Sequence, residues 1–213
     1  MRNALVSAVL ATAISTAAGA APFQVFTDRA AWEAAVGGAT ITEDGFDNDI
    51  ADADSITFDS GVVSTNSGGT RFLVDNMIDD GIYENAVDGD GAQASLLITW
   101  TFPEAIFAFG ADWDDTTNAG ILTVTGNFDG MGDETVNFGS VLGDPGEGFL
   151  GIVGMGDFTQ IAFGTALATE GEIFDADNLV FAAAPDGVIP LPAGLVLMLT
   201  GLGAFGALRA TRR

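Results

Sequence analysis

A procession of short apolar segments between residues 94 and 182 constrains the fold most. "ASLLITWTF" puts Ile98, Trp100 and Phe102 on one side of an extended chain. "AIFAFGADW" does the same with Phe107, Phe109, Ala111 and Trp113. "ILTVTGNF", "ETVNF", "GFLGIVG", "FTQIAFG" and "NLVFA" follow, with Gly, Asp and Asn between them. Alternation with a period of two in runs this short suits strands, and the turn residues leave room for hairpins. The spacing predicts an all-β chain, an antiparallel β-sandwich of jelly-roll type, with a barrel as the alternative. The stretch from Asp44 to Thr70 is less periodic and rich in Asp, Ser and Gly, which reads as short edge strands and loops. By alternation Trp100 and Trp113 look inward, and Tyr83 in "GIYEN" is the best candidate for an exposed aromatic.

One helix is expected near the start of this region, in "FQVFTDRAAWEAAVGG". Thr27 or Asp28 can cap it, Trp32 and Val36 stack one turn apart, and Gly37 can end it. Trp32 reads as a core plug. The strands and this helix fit one domain over residues 21–184, a length sufficient for a single well-buried core.

What the chain lacks limits its chemistry. It has no His and no Cys, and all six of its basic residues are arginine. Ser–His–Asp and Cys–His catalysis need the imidazole, and Ser–Lys or Schiff-base chemistry needs the amine. A zinc site of His and Cys is equally out, and there is no disulfide framework. Outside the terminal segments only Arg29 and Arg71 face 30 carboxylates, a formal balance of about −28 that repels nucleic acid and anionic headgroups. Nucleic acid is therefore excluded as a partner. A hard-cation site of carboxylate and carbonyl oxygens remains open, with calcium the best fit, as does glycoside hydrolysis by two carboxyl groups.

Four places concentrate oxygen ligands: Asp88 and Asp90; Asp112, Asp114 and Asp115; Asp129, Asp133 and Glu134; and Asp175, Asp177 and Asn178. None follows the EF-hand loop. "DWDDTTNAG" is expected at the exit of one strand and "DADN" at the entry of the last. One reading is a structural calcium held by Asp112, Asp114, Asp115, Asp175, Asp177 and Asn178; the other is a set of solvated turns in an acidic protein. "EGEIFDADN" superficially resembles the E-x-D-x-x-E signature of one jelly-roll glycosidase group. However, Glu172, Asp175 and Asp177 do not alternate onto one face with a second Glu, and no catalytic residue is assigned.

Both ends of the chain are apolar. "MRNALVSAVLATAISTAAGAAPF" has a basic start at Arg2, an uncharged run and a small-x-small site at Ala18 and Ala20, so residues 1–20 read as a secretory signal peptide. At the other end, Val188 to Leu208 carries no charge and is followed by "RATRR". Pro190 and Pro192 delay a helix until Ala193, and residues 193–208 then span about 24 Å, short of a ~30 Å hydrocarbon core. With its apolar flank the segment can still cross as a single transmembrane helix, leaving the arginines cytoplasmic.

This tail, "IPLPAGLVLMLTGLGAFGALRATRR", resembles the VPLPA variant of the PEP-CTERM sorting signals. Those signals join a proline motif, a Gly/Leu/Ala-rich membrane helix and a basic end. Here the parts are Ile189, Pro190, Leu191, Pro192 and Ala193; residues 193–208; and Arg209, Arg212 and Arg213 within residues 209–213, so residues 185–213 form linker and signal. Ile189 stands where the variant usually has Val, and the arginine cluster is interrupted. The resemblance implies an exosortase-type membrane enzyme cutting near Pro190–Ala193, and a Gram-negative exporter linked with exopolysaccharide. The expectation is a non-enzymatic structural or adhesive protein, exported through the inner membrane, anchored there transiently and then sorted to the cell surface or matrix. Alternatives are a calcium-dependent module binding extracellular polysaccharide and, third, a carboxylate-only glycoside hydrolase.

Overall fold

The computed structural model describes residues 23–66, 76–87, 98–114, 121–143, 146–166 and 172–183. The expected signal peptide (residues 1–20), the C-terminal residues 184–213 with the expected transmembrane helix, Arg71, Asp88, Asp90 and Asp115 lie outside these residues. Eleven strands and two helices are described, in the order β1 (Phe23–Phe26), α1 (Arg29–Val36), β2 (Ile41–Asp44), β3 (Ser55–Thr57), β4 (Val63–Asn66), β5 (Met77–Asp79) and β6 (Ile82–Val87). There follow β7 (Ile98–Asp114), β8 (Leu122–Gly126), β9 (Glu134–Asn137), α2 (Phe138–Val141), β10 (Gly148–Thr165) and β11 (Glu172–Ala183). All the described strand pairings are antiparallel, so the described residues are all-β with one short N-terminal helix and a single further helical turn.

Two long strands organise the rest. The segments expected as separate strands around Trp100 and Trp113 are one strand, β7, and those around Ile152 and Ile161 are one strand, β10. Straight, β7 would hold Trp100 and Trp113 about 43 Å apart at ~3.3 Å per residue. Their rings instead stack with centroids 6.0 Å apart. The β7–β10 ribbon therefore folds over on itself, and its two halves face each other across the core. The fold-over falls where pairing is interrupted, at register shifts between Val153 and Phe158 and between Phe158 and Gln160. Pro103, with no N–H to give a ladder, lies in this unpaired part of β7.

One half of the ribbon continues through β1 on one side and through β11 to β2 and β6 on the other. The second half runs β3–β4–β7–β10–β8–β9. Between them Trp100, Trp113, Phe109, Phe128, Phe163 and Phe174 are all 2 % exposed or less. Tilted and edge-on ring contacts tie the set together, including Trp113–Phe138 at 4.8 Å and Trp100–Phe163 at 4.9 Å.

The helix lies on the outer face of the first half. Asp28 caps it by accepting from the Ala31 N–H at 2.8 Å, and Gly37 closes it with a left-handed φ of 70°. Trp32 and Val36 are its buried residues, packed with Ala108, Phe149, Val180 and Ala182 in a second apolar cluster. Gly110 and Gly151 face each other across the ladder beneath them. A Cβ on Gly151 would sit 2.5 Å from Trp32 Cδ1, so the missing side chain is what lets the indole down onto the sheet. Phe107, expected on the same face as Phe109, packs with this outer cluster instead. The irregular register between Ala182 and Ala183, which pair with Ala108 and Ile106, skips it and rotates its side chain outward.

The register also sorts the molecule into two poles. At the folded pole, Phe23 pairs with Gly154, Ala183 pairs with Ile106, and the β8–β9 loop lies against Gly156. The open pole carries Ile98, Asp114, Gly148 and Thr165.

Candidate functional site

The open pole brings together most of the carboxylates singled out as calcium ligands. Pairing of β11 with β7 sets Asp177 opposite Asp112 and Asp175 opposite Asp114. Asp114 is the last residue of β7, at the expected strand exit, whereas Asp175 and Asp177 sit inside β11 and not at its entry, because β11 already begins at Glu172. Asn178 follows in a left-handed conformation, φ 50°, at the bulge where the register shifts between Asp177 and Val180. That bulge turns its amide back over the sheet: Nδ2 donates to Asp112 Oδ2 at 3.2 Å and to Asp177 Oδ2 at 2.9 Å.

A cation of the chain itself enters this cluster. Arg29 Nη2 lies 3.1 Å from Asp112 Oδ2 and donates to the Asn178 carbonyl at 2.7 Å. Its guanidinium also lies 5.2 Å from the centroid of the Phe149 ring. A positive charge in the first turn of α1 opposes the helix dipole. Its contacts with Asp112, Asn178 and Phe149 offset that and fasten the helix to the sheet. Among the described residues no three acidic side chains converge as a metal-binding group. A calcium ion here would share Asp112 with Arg29; Asp115 lies outside the described residues.

The other carboxylates fall apart in space. Glu172 is buried at 1 % exposure and faces inward with Phe174 and Ala176, whereas Asp175 and Asp177 are on the outer face of β11. Asp129, Asp133 and Glu134 belong to the β8–β9 hairpin at the folded pole. There Glu134 Oε2 accepts from the Phe128 N–H at 3.0 Å and Asp129 Oδ1 from the Met131 N–H at 2.7 Å. Partial desolvation, and then the hydrogen bond and charge of Asp129, raise the Glu134 pKa.

Tyr83 corrects an expectation: it is fully buried, not exposed. Its hydroxyl lies 2.9 Å from Ser64 Oγ and donates to Asn76 Oδ1 at 3.2 Å, and Asn85 Nδ2 donates to it. Asn76 joins the same network, accepting from Ser64 Oγ at 2.8 Å and from Asn85 Nδ2 at 3.1 Å. Burial, against the opposing hydrogen bonds, pushes the phenol pKa up to about 12. Sequence reading missed this network because β4 pairs with β3 and β7 and not with β6, so only side-chain contact between strands that share no ladder brings Ser64 to Asn76, Tyr83 and Asn85. Among the described residues no aromatic is among the large exposed apolar side chains, which are Val25, Ile82, Met131, Met155 and Ile173. No helix among them is long and apolar enough to cross a membrane. Comparison with protein-family models, curated proteins and solved structures gave no match.

Proposed function

We propose that this chain is an exported structural or adhesive protein, an acidic β-sandwich of jelly-roll type carried to the cell surface or matrix of a Gram-negative bacterium. Residues 1–20 direct export, with cleavage after Ala20. Residues 193–208 then hold the body at the inner membrane until an exosortase-type enzyme cuts near Pro190–Ala193. One observation carries the reading: proline motif, apolar segment and arginine end follow in order over residues 189–213. The body is compatible with it, since the last described strand ends at Ala183, ahead of the proline motif. Intact mass of the protein from native cells tests it. Loss of the mass of the tail supports the reading, and a full-length C-terminus overturns it.

A second reading, calcium held at the open pole, draws support from the ladder that sets Asp112 against Asp177 and Asp114 against Asp175. It would stiffen the pole opposite Ala183 and leave it able to meet extracellular polysaccharide. Calorimetric titration of the protein with calcium tests it; no heat and no rise in melting temperature would rule the ion out.

A further inference from the structure

We infer that, while the tail is embedded, the body stands with its folded pole against the bilayer and that Met131 and Met155 are its contacts with the lipid headgroups. The inference rests on the proposed membrane role of residues 193–208. Two strand pairings locate the exits: Phe23 is opposite Gly154 and Ala183 is opposite Ile106, so both described ends leave from the folded pole. The apolar segment of the sequence after Val188 is therefore tethered there.

Tether length keeps the other pole away. From Ala183 to Ala193 the chain spans at most about 35 Å fully stretched, and roughly 20 Å as a relaxed coil. The open pole lies about 26 Å from the exit, the eight residue steps of β7 from Ile106 to Asp114 at ~3.3 Å each. Bringing Asp112 or Asp177 to the membrane would need a tether stretched well past its relaxed length. The folded pole needs no such stretch.

This pole also carries the apolar side chains suited to an interface. Met131 is 85 % exposed and Met155 is 51 % exposed. They flank one contact, in which Met155 N–H donates to the Phe128 carbonyl at 2.8 Å and Gly130 packs against Gly156. Unbranched thioethers adapt to an irregular surface such as a headgroup layer. Asp129, Asp133 and Asp157 lie beside them, and the one described arginine, Arg29, is bound to Asp112 at the other pole. A zwitterionic surface is thus the matching partner, and an anionic one is repelled at low salt.

The chain has no cysteine, so Met131→Cys, Met155→Cys and Ile173→Cys each give a single attachment point; Ile173 is 54 % exposed and sits on β11 near the open pole. Full chain carrying a fluorophore at one of these sites is reconstituted into phosphatidylcholine vesicles with headgroup-labelled acceptor lipid. Energy transfer should be several-fold greater from 131 and 155 than from 173. Peroxide oxidation of the unmodified chain, followed by mass spectrometry, should show both methionines protected on vesicles. Chain that floats with the vesicles yet gives equal transfer from all three sites and unprotected methionines overturns the orientation alone. Chain that does not float overturns the membrane role of the tail and the orientation with it.

Discussion

Tyr83 is the single tyrosine of a chain without lysine or cysteine, so nothing else but its amino terminus loses a proton between pH 7.5 and 12, arginine staying charged. Burial holds the folded phenol near 12, whereas an unfolded one titrates near 10. The folded state then binds more protons in that window, and stability falls as pH rises from about 10 to about 12. Alkaline melting curves should show this fall in the native protein and lose it in Tyr83→Phe. At neutral pH that variant should be destabilised by about 1–3 kcal/mol, because Ser64 and Asn85 lose a buried partner. Gly151 is constrained from the opposite side. An added methyl meets Trp32 at 2.5 Å and Phe149 at 2.8 Å, so Gly151→Ala should cost roughly 1–3 kcal/mol in urea unfolding.

Among elements, α1 shows how a weak local signal becomes fixed by packing. Eight residues are too few for a stable isolated helix; the Asp28 cap starts it, and Trp32 over Gly151 holds it. Removing the cap in Asp28→Ala should lower stability by about 1 kcal/mol, read as a lower denaturation midpoint. The β8–β9 hairpin behaves differently because its charge works against it. The Glu134 pKa is raised in the folded state, so its protonated form is favoured by folding, and that contribution is lost as pH rises through the folded pKa. Glu134→Gln retains an oxygen for the Phe128 N–H and removes the charge. It should melt higher than the native protein at pH 7, and the gap should close below about pH 4, where the unfolded carboxyl is protonated too.

At the scale of the molecule, 30 acidic against 6 basic residues mean self-repulsion in the folded state. Raising monovalent salt from about 0.01 to 0.15 M shortens the screening length from ~30 to ~8 Å, so the melting temperature should rise over that range; a flat response would show that the charges are already neutralised locally. Strand content, the capped helix with Trp32 and Val36 inward, and the burial of Trp100 and Trp113 were legible from alternation and capping residues, because those signals are local. The same local logic read Tyr83 as exposed and Phe107 as facing the main core. A buried hydrogen-bond network and a bulge reversed both, and neither has a signature at short range. Composition by itself ruled out imidazole, thiol and amine chemistry, since a missing residue is missing in any fold. Tertiary structure alone decided that one ribbon folds over to face itself, that Arg29 reaches Asp112 from 83 residues away, and that Phe23 and Ala183 leave from one pole. Those facts depend on register between distant strands, which pattern along the chain does not encode.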